Sequence, residues 1–211
     1  MNEFNLKNVI KINSEYMPQK DITFIIPSVG RPTLIRTLVS LQNLTIPYWK
    51  AIVVFDGVDG VDRIDDNRIS YISIPKTGVS NHAGNVRNIA IEKSDTTWIA
   101  FVDDDDSLTP DYLEEFYKIS DKQDPDVIIF RMIYPANYAR SPGESLRIIP
   151  ALNTNIIRMY DVGISFCMKK CKNIEKYFEP SVCEDFIILK KLNDMNKAIV
   201  LSEKVCYKVG H

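Results

Sequence analysis

One stretch constrains this chain more than any other: Trp98-Ile99-Ala100-Phe101-Val102-Asp103-Asp104-Asp105-Asp106. Its first part is an unbroken β-prone apolar run with no polar alternation, the pattern of a central parallel strand covered on both faces. Its second part is four consecutive carboxylates. Two such charges in close contact repel by roughly 1 kcal/mol in water and by about 4 kcal/mol at an effective dielectric near 20. Lodging them at the edge of a core is therefore unfavourable unless a cation neutralises them. Side chains two apart in an extended chain share a face, so Asp103 and Asp105 are expected on one side and Asp104 and Asp106 on the other. Hard, oxygen-only ligands of this kind suit Mg²⁺, Mn²⁺ or Ca²⁺ rather than zinc.

Two plainer readings compete. A run of aspartates is most often a solvated loop, but this one directly follows five apolar residues. The second is a calcium-binding EF-hand loop, because Asp103, Asp105, Ser107, Thr109, Asp111 and Glu114 fall at its ligand spacing. Context argues against it: Leu108 stands where glycine is needed, Pro110 follows, and the preceding segment reads as strand.

A chain of 211 residues fits one domain, able to bury roughly 70% of its unfolded surface. The formal charge of −2 comes with no basic stripe, so nucleic acid is not an expected partner. The longest apolar runs reach only about a third of the length of a membrane helix, and the polar amino terminus has no signal-peptide pattern. No transmembrane segment and a cytoplasmic location are expected. Cys167, Cys171, Cys183 and Cys206 have neither zinc-site nor thioredoxin-like spacing and read as reduced packing residues.

Residues 1–20 are polar and weakly patterned and read as an arm, leaving 21–211 as a single domain. Ile22-Thr23-Phe24-Ile25-Ile26 reads as a buried strand stopped by Pro27-Ser28-Val29-Gly30-Arg31-Pro32. Pro32 suits the first position of a helix in which Leu34, Leu38 and Leu41 repeat at helical spacing. A strand, a short glycine-containing turn and a helix present backbone N–H groups to an anion. A second strand, 51–55, ends in Asp56-Gly57, at the strand edge where open parallel sheets gather ligands. Asp56 there either accepts from a base N–H or a ribose hydroxyl, or is a turn-forming Asp before Gly. The strand 69–74 follows, then a helix starting at Gly84. Its Arg87 shares a face with Gly84, which leaves room for an approaching group, and its predicted partner is one of Asp103 to Asp106 or a phosphate.

Beyond the acidic stretch, Thr109 and Pro110 read as the N-cap and first position of a helix. Strands are expected at 127–130, 163–168 and 198–201, with a long loop over 135–155 that could serve as a lid or substrate surface. Ser181 and Glu184 have capping-box spacing, which gives Glu184 a purely structural role. Asp185 then shares a face with Ile188, Leu189 and Leu192, so the helix should aim it inward as a candidate general base.

In this order the parts resemble the GT-A-fold glycosyltransferases, most closely the family 2-like group that uses nucleotide-diphosphate sugars. The resemblance rests on Ile25-Ile26-Pro27 with Gly30-Arg31-Pro32, on Asp56-Gly57, on the helix with Arg87-Asn88, on the acidic stretch in place of an Asp-x-Asp motif, and on Glu184-Asp185 before an apolar helix. It covers about residues 21–192. It implies an α/β fold, a GT-A-type three-layer sandwich with one mainly parallel central sheet. The implied activity moves a sugar from a UDP-sugar, UDP-glucose foremost, to a hydroxyl of a glycan or glycoprotein acceptor, with inversion. In that scheme Pro27, Ser28, Val29, Gly30, Arg31 and Asp56 with Gly57 hold the uridine, and Asp103 or Asp104 contacts the ribose. Gly84 and Arg87 lie beside the acidic strand or the phosphates. Asp105 and the late His211 are the implied ligands of Mn²⁺ or Mg²⁺, and Asp185 is the implied catalytic base. The chain is short for the family, which leaves room for further domains of the same polypeptide.

Three rivals are weaker. A sugar-nucleotide pyrophosphorylase needs a longer Gly-rich loop than residues 27–32 provide. A non-catalytic nucleotide-sugar or calcium-binding module predicts binding without turnover. A Rossmann dehydrogenase lacks its G-x-G-x-x-G after the first strand.

Overall fold

The computed structural model describes residues 3–5, 21–59, 63–77, 83–135, 146–171, 174 and 176–210. Its frame is a mixed, mostly parallel central sheet of nine strands covered by helices. The unbroken apolar runs form its middle. β2 (Ile22–Ser28) is buried throughout, β3 (Lys50–Asp56) is buried beyond Lys50, and β5 (Trp98–Phe101) is buried throughout. β4 (Ile69–Ile74) forms the edge beside β3 and is buried only at Ile69, in keeping with its place at the rim of the sheet.

The sheet order is β4-β3-β2-β5-β10-β7-β11-β6, where β6 is Ser107–Leu108, β7 Val127–Tyr134, β10 Phe166–Lys169 and β11 Ile199–Lys208. β4, β3, β2 and β5 run parallel to one another, while β10 is antiparallel to both β5 and β7. Register then places the chemistry. Ser28 pairs with Phe55 and Ile25 with Phe101, so the carboxyl ends of β2, β3 and β5 reach the same edge. That edge is where an open α/β sheet leaves a crevice for ligands.

Four helices complete the fold among the described residues: α1 (Leu34–Gln42), α2 (Gly84–Lys93), α3 (Tyr112–Gln123) and α4 (Glu184–Asp194). α1 buries Leu34, Leu38 and Leu41, the three residues its periodicity marks. α2 packs on β2 and β3, and α3 on β7 and β11. Phe101 joins the halves, tilted against Phe166 and edge-on to Phe178 at centroid distances of 5.0 and 5.1 Å. All four cysteines are free. No helix among the described residues is long and apolar enough to cross a membrane.

Several sequence expectations are corrected. Within the arm, Glu3–Asn5 forms β1, paired antiparallel with β9 (Ile156–Arg158). The stretch 135–155 is not all loop, because β8 (Arg147–Ile149) pairs with the end of β7; residues 136–145 lie outside the described residues. The strand expected from Gly163 begins at Phe166, and the last strand runs on to Lys208. Thr109 does not cap α3: its hydroxyl donates to Asp111 Oδ1 (2.5 Å), and the helix starts at Tyr112, two residues beyond the expected Pro110.

Candidate active site

The four aspartates alternate as the pleat predicts, although the chain turns just beyond β5: Asp104 and Asp106 are buried, Asp103 and Asp105 half-buried. Asp104 is fully engaged. Its Oδ2 accepts from Ser28 Oγ (2.7 Å) and Val29 N (3.3 Å), and its Oδ1 from Arg31 Nη1 (2.5 Å). With its side chain 2% exposed, it staples the acidic turn to the turn after β2. Gly30 closes that turn at φ 81°, a backbone conformation that favours glycine, and its N–H donates to Ser28 Oγ at 3.0 Å.

Asp106 is held from the other half of the sheet. It accepts from Tyr207 Oη (2.5 Å) and from Gly210 N (2.7 Å), while Tyr207 Oη also accepts from Asp103 N (3.1 Å). Burial, and next the charge of Asp103, push the Asp106 carboxyl up to about 7. Gly210 sits so close to the turn that a Cβ there would collide with the Asp105 carbonyl. His211, the next residue, lies outside the described residues.

That leaves Asp103 and Asp105 as the two aspartates of the run whose carboxylates open onto space, with side chains 36% and 42% exposed. They line a cavity of about 310 Å³ together with Ser28, Val29, Arg31 and Asp56. Asp105 is 3.5 Å from Arg31, and burial moves its carboxyl above the usual range. Asp103 accepts from Arg87, whose guanidinium also donates to Glu184. Burial opposes the Arg87 charge, but Asp103, Asp185 and Glu184 together hold its pKa above the ordinary arginine value.

Asp185, in the first turn of α4, lines the same cavity. Its Oδ1 is shielded from solvent and has no hydrogen-bond partner. Burial chiefly, against the pull of Arg87 and with the push of Asp103 and Glu184, raises its carboxyl to about 7. A buried oxygen without a donor is costly unless another group meets it there.

The capping box at the start of α4 does not form. Ser181 Oγ accepts from Cys183 N (3.2 Å), Cys183 precedes the helix, and Glu184 turns inward to Arg87. Gly84 also has another purpose than the one expected. A Cβ there would stand 2.5 Å from Glu184 Oε2 and 2.9 Å from Phe178 Cβ, so the space beside Arg87 is filled by protein. Gly57 makes a turn at φ 76°, and a Cβ there would stand 2.8 Å from Lys76 Cβ. Asp56 is tied up as a turn residue would be, Oδ1 accepting from Thr77 N (2.7 Å) and Oδ2 pairing with Lys76 Nζ (3.0 Å), but it still lines the cavity. Sequence reasoning missed Lys76, Tyr207, Ser181 and Val182. Lys76 shows in the sequence only as a lysine after Ile74-Pro75, and Tyr207 only as an aromatic in the last strand.

No group of three or more His, Cys, Asp or Glu among the described residues forms a ready-made metal cage. The residues nevertheless fit a hard divalent ion of the magnesium type, which takes one or two carboxylates and completes its shell with phosphate oxygens and water. The cavity sets six carboxylates, those of Asp56, Asp103, Asp104, Asp105, Glu184 and Asp185, against the three cations Arg31, Lys76 and Arg87. Each cation already has an acidic partner.

Comparison with known proteins agrees with this geometry. The family model for Glycosyl transferase family 2 matches residues 23–177. The chain is 34% identical over 105 residues, 46% of its length and 29% of the other protein, to EpsH of Bacillus subtilis (strain 168), whose name places it among glycosyltransferases. In solved structures it resembles S. aureus TarS 1-349 (TM-score 0.67, 18% identity, 90% of this chain and 60% of that one). TarS 1-349 is also known in complex with UDP-GlcNAc (TM-score 0.64, 17% identity, 89% of this chain and 58% of that one). A further likeness is to the mannosyltransferase PcManGT of Pyrobaculum calidifontis in complex with GDP-Man and Mn²⁺ (TM-score 0.62, 12% identity, 95% and 60% covered). The structural matches carry the fold, a GT-A-type α/β architecture.

Proposed function

The chain belongs to glycosyl transferase family 2, and from that premise we propose that it transfers a sugar from a nucleoside diphosphate sugar, UDP-glucose foremost, to a hydroxyl of a glycan or glycoprotein, with inversion at the anomeric carbon. The observation that carries this reading is the pairing of two half-exposed carboxylates, Asp103 and Asp105, with the partnerless oxygen of Asp185 around one cavity. Complexes of neighbouring folds with UDP-GlcNAc and with GDP-Man and Mn²⁺ support a nucleoside diphosphate as the leaving group. The chain spans only 29% to 60% of those relatives' lengths, so further domains are part of the proposal.

The turn from Ser28 to Arg31 and the Asp56 edge receive the nucleoside, and Asp103, steadied by Arg87, receives the ribose. Asp105, joined by His211, which follows Gly210 in the chain, would hold Mn²⁺ or Mg²⁺, and an ion held there would supply positive charge to the departing diphosphate. Asp185, ionised, takes the proton from the acceptor hydroxyl. The hydroxyl oxygen forms its bond to the anomeric carbon as the bond to the diphosphate breaks, and the nucleoside diphosphate leaves with that electron pair. A cytoplasmic location belongs to the same reading.

The test is to incubate the protein with UDP-, GDP- and dTDP-sugars and Mn²⁺ and to follow released nucleoside diphosphate. Slow hydrolysis without acceptor is expected for one donor class. Binding without release from any donor would support a non-catalytic module instead.

A further inference from the structure

A second cavity of about 180 Å³ adjoins the first and shares Asp103, Asp105 and Asp185 with it. Its other walls differ in character. Tyr134 and Val209 supply half-exposed aromatic and apolar surface beside the carboxylates, backed by the buried Met132 and Ile164. No lysine or arginine lines it among the described residues, whereas the first cavity holds Arg31, Lys76 and Arg87. Arg147 lies 5.4 Å from the Tyr134 ring centroid and is engaged by Asp161 (3.6 Å) and the Tyr160 carbonyl (3.1 Å).

We propose that this cavity seats the acceptor, and that the acceptor is an uncharged sugar lying with its C–H face on Met132 and Tyr134 and a hydroxyl directed at Asp185. The proposal rests on the glycosyltransferase reading above. Sugar rings present apolar C–H faces and polar rims, and a site with one apolar wall and one carboxylate wall matches both. A uronic acid or a phosphorylated sugar would meet like charge there. The donor complex does not relieve this, since a divalent ion and the diphosphate it binds largely offset each other.

Gly163 sets the width of the seat. A Cβ at that position would stand 2.6 Å from Met132 Sδ, so an alanine would force the flexible thioether towards the acceptor. Gly163 and Met132 are thus specificity-determining residues.

The experiment uses the donor selected by nucleotide release, with Mn²⁺ and a panel of methyl hexosides beside their uronic acid and 6-phosphate counterparts. Release above the acceptor-free rate is expected for at least one neutral member, with kcat/KM at least tenfold above its anionic counterparts and the gap narrowing as salt is added. Gly163→Ala should raise the KM for that neutral acceptor at least fivefold. Equal or better use of anionic acceptors, stimulation by no member of the panel, or an unchanged acceptor KM in Gly163→Ala would overturn the proposal. Absence of acceptor-free release with every donor would instead count against the transferase reading itself.

Discussion

Glu184 and Asp185 are neighbours in sequence with opposite fates: one is spent on Arg87, the other is left partnerless at the cavity. The acceptor proton has to go to an ionised Asp185, and burial holds that carboxyl at about 7. The profile of kcat/KM against pH should therefore fall below about 7 and level off above it. Asp185→Asn should remove turnover at every pH. Stability runs the other way. The folded state keeps this proton up to about 7, whereas an unfolded aspartate releases it near pH ~4. Stability contributed by the group is thus present at acid pH and lost as the pH rises across that window. Thermal unfolding should show Asp185→Asn melting above wild type at pH 8, by a margin that shrinks towards pH 5. Tyr207→Phe is a separate case. It removes one donor from buried Asp106 and an acceptor from Asp103 N, so it should cost about 1–3 kcal/mol. It should also weaken Mn²⁺ binding by calorimetry, a readout that a simple packing loss would not move.

At the scale of elements, α2 and α4 are locked across the missing side chain of Gly84. Gly84→Ala would push a methyl against Glu184 and Phe178, so denaturant unfolding should show a loss of about 1–3 kcal/mol. The strands were readable before the structure because unbroken apolar runs have no other comfortable place than the middle of a sheet. The opposed faces of Asp103 and Asp104 were readable from the pleat alone. Glu184 was misread because its spacing to Ser181 imitates a local motif, while its true partner, Arg87, is remote in sequence. Lys76 and Tyr207 were missed for the same reason, since their partners are set by strand register rather than by any nearby pattern. The start of β10 was misplaced because Gly163 to Ser165 are as apolar on average as the strand they precede.

For the whole molecule the deciding quantity is charge. A cavity with twice as many carboxylates as cations, each cation already paired, should repel a diphosphate. Calorimetric titration with UDP should give at least tenfold weaker binding in EDTA than in Mn²⁺, and Asp105→Ala should erase that difference. Unchanged affinity in EDTA would mean that Arg31 or Lys76 leaves its acidic partner to take the phosphates. The same imbalance runs into the second cavity, which has no cation of its own among the described residues.

The alternation along Asp103 to Asp106 has a genetic consequence. A substitution scan of these four identical residues should sort by parity: alanine at the even positions, which strips the acceptors that hold Ser28, Arg31, Tyr207 and Gly210, should yield protein that is poorly folded or short-lived, and at the odd positions protein that is abundant but inert. Selection for expression level and selection for product would therefore tolerate complementary halves of the same run.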